Sequence, residues 1–231
     1  MSIQLVTFDL DDTLWDVAPA LETAEVVLRD WLATHAPRLG ALPFEEYWAI
    51  RNMLLADEPG LKHRISELRR RALAHALREA GYATTQAQAL AEAGFEAFLT
   101  ARNQVELFSD ALPTLNMLAQ QFQLGVITNG NADVRRVGIA NYFQFALSAE
   151  ELGVGKPDPV PFIEALRRAN SRAQLAVHIG DHPNDDIAGA QGAGLRAIWF
   201  NPQGKSWEAE HRPDAEIRSL SQLPALLKSW S

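Results

Sequence analysis

The sequence predicts an α/β protein, a parallel sheet covered by helices on both faces, with a block of helices inserted after the first strand. Three observations carry this. From about residue 106 onward, short apolar runs without polar alternation recur between helical stretches, the pattern of strands buried on both faces. Residues 15–105 keep helical spacing and contain no strand candidate. A separate apolar run, residues 3–8, precedes that helical tract and belongs with the later strands.

Within the helical tract, Leu21, Ala24, Val27, Leu28, Trp31 and Leu32 mark a first helix. Leu61, Ile65, Leu68, Ala72, Leu73, Ala76 and Leu77 mark a third, which this spacing starts near Lys62. Pro37, Pro43 and Pro59 fall between helices, and Gly81 is a C-terminal stop. A fourth helix spans about 85–102 through Ala89, Leu90, Ala93 and Phe98. Later strands are expected at residues 124–127, 145–147, 176–179 and 195–200, with a short one near Glu216 and Ile217 and a closing helix at 220–227. The division expected is residues 1–14 with 106–231 as the α/β core, and 15–105 as a four-helix unit.

At 231 residues the chain can bury a full core and carry a smaller second domain. A net charge of −8 argues against a nucleic-acid polymer as partner. It leaves room for a small anionic ligand wherever a metal and a lysine reverse the local field. The absence of cysteine removes disulfides, thiolate nucleophiles and thiolate metal sites. No apolar run approaches the roughly 20 residues of a bilayer span, and the N-terminus lacks the basic stretch of a signal peptide. The expectation is a cytoplasmic protein without a membrane partner, a monomer or a homodimer.

Ligands of open parallel sheets bind outside the carboxyl ends of the strands, and the polar clusters of this chain fall there. Asp9, Asp11 and Asp12 crowd the end of the first strand, and repulsion among them calls for a cation. With a metal bound, Asp9 can act as nucleophile and Asp11 as proton donor. A calcium-binding loop starting at Asp9 fails, because Leu14 and Ala20 stand where Gly and Glu are required. Thr128-Asn129-Gly130-Asn131 follows another strand and suits phosphate oxygens, or makes a plain turn. Lys156 sits in a stiff Gly-Lys-Pro loop, and Gly180-Asp181-His182-Pro183-Asn184-Asp185-Asp186 forms a second acidic cluster opening a helix.

In this order, Asp9-Leu10-Asp11-Asp12-Thr13, the segment ending in Thr128, Lys156, and Gly180-Asp181 with Asp186 resemble the four motifs of the haloacid dehalogenase-like hydrolase superfamily. The resemblance covers nearly the whole chain. It implies a Rossmann-like three-layer α/β/α core with the helical insertion as a cap. Its chemistry is transfer of a phosphoryl group to Asp9, with Asp11 as acid and then base. Mg²⁺ is implied as cofactor, held by the Asp9 carboxylate, the Asp11 backbone carbonyl, Asp181 and, directly or indirectly, Asp186. Thr128, Asn129 and Lys156 are implied to bind the phosphoryl oxygens with Asp9.

Superfamily members that cleave carbon–halogen bonds lack the second aspartate, because no alkoxide needs a proton, so Asp11 points to a phosphatase acting on a small phosphorylated metabolite. Gly180 before Asp181 favours hydrolysis over the mutase branch. Residues 8–16, 127–131 and 141–143 are similar to the branch that dephosphorylates flavin mononucleotide and 5-amino-6-(5-phosphoribitylamino)uracil. Other phosphosugar or nucleotide phosphatases, a phosphotransferase or mutase, and a non-catalytic phosphometabolite-binding scaffold are the rival readings. Substrate contacts beyond the phosphate are expected from Trp15 (or hinge packing), His63, Arg64 and His182. His178, in mid-strand, reads as a packed core histidine, and Arg69-Arg70-Arg71 as a charged helix face.

Overall fold

The computed structural model describes residues 2–40, 42–210 and 212–230. They form two compact units, one of residues 1–17 with 106–231 and one of residues 18–105. Among the described residues no helix is long and apolar enough to cross a membrane.

The first unit is built on a parallel six-stranded sheet. Its strands are β1 (Leu5–Phe8), β2 (Gln123–Thr128), β3 (Phe145–Ser148), β4 (Ala176–Gly180), β5 (Arg196–Phe200) and β6 (Ala215–Ile217), in spatial order β3-β2-β1-β4-β5-β6. Every residue of β1 and β4 is buried, the polar Thr7 and His178 included, as central strands of a parallel sheet covered on both faces. Side chains alternate across the sheet. Leu5, Ile127, Leu147, Ala176, Ala197 and Trp199 join a core cluster with Phe162 and Ala165 of the helix Pro159–Arg168. The helices Ala111–Ala119 and Leu223–Ser229 pack on one another, with Leu115, Leu118, Leu223 and Leu227 buried.

β1 pairs with β2 on one side and β4 on the other. The chain leaves β1, returns through β2 and β3, and then crosses to β4, so the carboxyl ends of β1, β2 and β4 flank the point where the winding direction changes. That is where an open α/β sheet leaves a crevice.

The second unit holds α1 (Val17–His35, whose first residue belongs to the first unit), α2 (Phe44–Asp57), α3 (Ile65–Glu79) and α4 (Thr84–Arg102). Leu28, Leu32, Leu73, Leu77, Phe95 and Phe98 fill its core. Short 3-10 turns occupy Pro37–Leu39 and Pro59–His63. The third helix therefore starts at Ile65, not near Lys62: Arg64 leaves helical backbone at φ −116° and ψ 64°. α3 ends as expected, with Gly81 at a φ of 85° and the Tyr82 N–H returning to Leu77 O.

The three arginines of α3 do form a charged face. Arg69 pairs with Glu25 at 2.7 Å and lies 3.9 Å above the Phe98 ring; Arg70 meets Glu67 and Glu92; Arg71 bridges Glu67 and Glu58. Such exposed pairs each contribute about 0–1 kcal/mol.

Candidate active site

The chain turns sharply after β1. Asp9 N–H donates to Ile179 O across the sheet, and Leu10 O accepts from Thr13 and Leu14 N–H. Asp12 adopts a left-handed φ of 57° and accepts the Val17 N–H with its carboxylate at 3.0 Å. This tight turn places Asp9, Asp11 and Asp12 along one wall of a cleft.

That cleft, about 340 Å³, is lined wholly by the first unit: Asp9, Asp11, Asp12, Thr128, Asn129, Gly130, Lys156, Asp181, His182, Asp185 and Asp186. Eight residues selected from the sequence thus meet at one place: Asp9, Asp11, Thr128, Asn129, Lys156, Asp181, His182 and Asp186. Six carboxylates face a single lysine there.

Lys156 Nζ is buried between Asp186 Oδ1 at 2.5 Å and Asp9 Oδ1 at 2.9 Å. Asp186 is fully buried. Its Oδ1 also faces His178 Nε2 at 3.0 Å, and its Oδ2 accepts the His182 N–H at 2.9 Å. Gly180 permits this approach, since a Cβ there would lie 2.2 Å from Asp186 Cγ. Burial alone would raise the Asp186 pKa, but the Lys156 charge and the His178 hydrogen bond hold it below the usual carboxylate range. For Lys156, burial works downward and is outweighed by Asp186 and Asp9, which hold its pKa above the ordinary lysine value.

Asp9 behaves oppositely. Burial, aided by the charges of Asp186 and Asp11, pushes its pKa up to about 7 against the pull of Lys156. Burial and the charges of Asp186 and Asp12 likewise push Asp181 up to about 6. Both groups resist ionisation until a cation joins them. Asp9, Asp181 and Asp186 offer oxygens within 4.8 Å of one another, and Asp9 Oδ1 already meets Lys156 Nζ at 2.9 Å. An all-oxygen donor set of three clustered carboxylates fits a hard divalent cation such as Mg²⁺.

Several expected roles change. Trp15 is fully buried, and its indole N–H donates to Asp11 Oδ1 at 2.9 Å, so the ring is not available to stack on a ligand. It belongs with the first unit, bridged to Leu107. The side-chain amide of Asn129 clasps the Lys156 backbone: Nδ2 donates to Lys156 O at 2.8 Å, and Oδ1 accepts Lys156 N–H at 2.8 Å. Nδ2 also reaches Asp185 Oδ2 at 3.2 Å, which ties Asp185 to this clasp, while Asp186 faces the metal-ligand cluster. Thr128 Oγ1 accepts the Gly130 N–H at 3.0 Å. His63 and Arg64 lie in the second unit, where Arg64 pairs with Glu58. His182 lines the cleft, and its Nδ1 accepts the Asp185 N–H, capping the turn at Pro183–Ala188.

His178 and Thr7 lie just behind the site. The strand pattern marked His178 as core, which it is; its position two residues before Gly180 was the only signal that it touches the cluster.

A model of the haloacid dehalogenase-like hydrolase family matches residues 3–194. The 5-amino-6-(5-phospho-D-ribitylamino)uracil phosphatase YigB of Escherichia coli (strain K12) is 30% identical over 229 residues, covering 97% of this chain and 96% of that protein. A crystal structure described as 2-haloacid dehalogenase from Pseudomonas syringae pv. Tomato DC3000 is 64% identical with a TM-score of 0.98, covering 99% of this chain and 100% of that one. The putative hydrolase YfnB of Bacillus subtilis, solved bound to magnesium, is 26% identical with a TM-score of 0.67, covering 98% and 99% of the two chains.

Proposed function

Because this chain belongs to the haloacid dehalogenase-like hydrolase family, we propose that it is a Mg²⁺-dependent phosphatase of small phosphomonoesters, working through an aspartyl-phosphate on Asp9. One observation carries this reading: a second carboxylate, Asp11, held in fixed orientation on the same cleft wall as Asp9. Hydrolysis of a phosphomonoester needs both a nucleophile and a group that protonates the departing alkoxide.

In the first half-reaction an Asp9 carboxylate oxygen attacks phosphorus. The bond from phosphorus to the ester oxygen breaks, and that oxygen takes the proton of Asp11. In the second, water attacks the same phosphorus, its proton passes to Asp11, and the bond to Asp9 breaks. Lys156 neutralises phosphoryl oxygen charge, and Thr128 at the end of β2 binds alongside it. Asn129 acts indirectly, by holding the Lys156 backbone. Asp9, Asp181 and the Asp11 carbonyl are the groups to hold Mg²⁺, with Asp186 supporting them through Lys156. Bound there, Mg²⁺ would offset the carboxylate charge and screen the phosphate. We assign the four-helix unit the role of a cap, in a cytoplasmic enzyme.

The substrate proposed is a ribityl phosphate of the flavin pathway type, flavin mononucleotide or 5-amino-6-(5-phosphoribitylamino)uracil, supported by the likeness to YigB along nearly the full chain. Dehalogenation is the second reading, favoured by the 64% identity to a structure described as 2-haloacid dehalogenase. Two features count against it. A 2-haloacid leaves no alkoxide for Asp11 to protonate. Its carboxylate would also meet a cleft lining with one ammonium group, already held between Asp9 and Asp186.

The test is product release from a phosphomonoester panel including both ribityl phosphates, with Mg²⁺ or with chelator, beside halide release from 2-chloropropionate. Metal-dependent phosphate release without halide release is expected. Halide release without phosphate release would replace the proposal with its rival.

A further inference from the structure

The mechanism above gives no part to His178, a fully buried imidazole in the middle of β4. Its Nε2 lies 3.0 Å from Asp186 Oδ1, and its Nδ1 lies 2.9 Å from Thr7 Oγ1. The Phe162 ring meets it edge-on, with centroids 5.2 Å apart. Thr7 and His178 are register partners across β1 and β4, and Thr7 shares a pleat face with Asp9, two residues on. The contacts therefore close a ring: Thr7, His178, Asp186, Lys156, Asp9, and back to Thr7 along the strand.

The donors in this ring fix its protons. Asp186, paired with Lys156, is a carboxylate and can only accept, so the hydrogen on the 3.0 Å contact sits on His178 Nε2. The neutral ring then presents a bare Nδ1, which accepts. Thr7 has one hydroxyl proton and two acceptors in reach, His178 Nδ1 at 2.9 Å and Val177 O at 3.3 Å; the shorter and better acceptor takes it.

We propose that His178 is a positioning residue: fixed by Thr7 as its Nε2–H tautomer, it donates to Asp186 Oδ1 and holds that carboxylate where Lys156 is shared between Asp186 and Asp9. Without this donor, Oδ1 keeps Lys156 as its partner while His182 N–H restrains only Oδ2. The carboxylate can then turn, the ammonium follows it, and Asp9 loses the charge fixed at 2.9 Å. Displacements of a fraction of an ångström at a reacting group are enough to slow a reaction.

The kinetic arm of the test rests on the phosphatase reading; the spectroscopic arm does not. His178→Phe keeps a ring against Phe162 without polar atoms, His178→Gln returns an N–H donor, and Thr7→Val removes the hydroxyl at equal size. With p-nitrophenyl phosphate and Mg²⁺, His178→Phe should lower kcat roughly ten- to hundredfold with KM within about twofold, and His178→Gln should recover most of that loss. Thr7→Val should lower kcat less, and should cost nothing further in the His178→Phe background. Nitrogen-15 NMR of the full-length wild-type protein should find His178 protonated at Nε2 and bare at Nδ1. Wild-type kcat in His178→Phe, no recovery in His178→Gln, or a proton on Nδ1 would each overturn the proposal. Should His178→Phe not fold, Thr7→Val and the tautomer decide. Should the wild-type protein release no phosphate from any ester, the phosphatase reading fails while the NMR result still judges His178.

Discussion

The indole Nε1 of Trp15 donates to Asp11 Oδ1 at 2.9 Å, from a ring that is itself fully buried. That donor fixes the orientation in which the Asp11 carboxyl stands in the cleft. Trp15→Phe retains the ring and removes only the donor. An ordinary hydrogen bond contributes about 0.5–1.5 kcal/mol, so kcat should fall roughly two- to tenfold with KM little changed. Steady-state kinetics on a phosphomonoester check this; an unchanged kcat would free Asp11 from Trp15.

Asn129 clasps Lys156 through two hydrogen bonds of 2.8 Å to its backbone. Asn129→Ala leaves those two polar groups without their partner, a cost of about 1–3 kcal/mol each if they stay dry. A lower denaturation midpoint and a lower kcat are expected together. Loss of substrate affinity alone, with stability unchanged, would mean that the amide serves the ligand.

Gly180→Ala places a Cβ 2.2 Å from Asp186 Cγ. Asp186 would have to leave Lys156, and breaking a buried pair costs about 3–5 kcal/mol. Urea denaturation should therefore show a large loss of stability. A wild-type midpoint would show that the two segments can separate without penalty.

The raised pKa values give metal binding a pH signature. Asp9 near 7 and Asp181 near 6, both from an ordinary 3.8, mean that the metal-free folded protein keeps protons that the unfolded chain releases between about pH 4 and 7. Stability of the metal-free protein should fall as pH rises through that window. Mg²⁺ binds the ionised carboxylates, so it should raise the melting temperature strongly at pH 8 and little at pH 5. Equal shifts at both values would remove Asp9 and Asp181 as its ligands.

How far the site was legible follows from these same residues. Asp9, Thr128, Lys156 and Asp181 each close a strand or open a turn, and the rule that ligands gather at strand carboxyl ends brought them together before any coordinates. The parallel sheet was legible for a related reason: unbroken apolar runs between helices leave few other arrangements. Partners were not legible. Nothing local says that Asn129 reaches Lys156, 27 positions away, or that Thr7 reaches His178, 171 positions away. The sequence leaves Trp15 between ligand stacking and hinge packing, because an aromatic residue after an acidic turn looks the same in either place; the buried ring takes the packing role. The third helix was placed early because Leu61 fits the apolar spacing, while the backbone break at Arg64 leaves no mark in that spacing.

The central claim is that water attacks phosphorus on an Asp9 phosphoester. Turnover of flavin mononucleotide in oxygen-18 water, followed by mass spectrometry of both the released phosphate and the Asp9 peptide, tests it most directly. One heavy oxygen in each phosphate and an unlabelled Asp9 are predicted, with Asp9→Asn releasing none. Heavy oxygen accumulating in Asp9, as when water attacks the carboxyl carbon of an ester intermediate, or phosphate release that persists in Asp9→Asn, would contradict it.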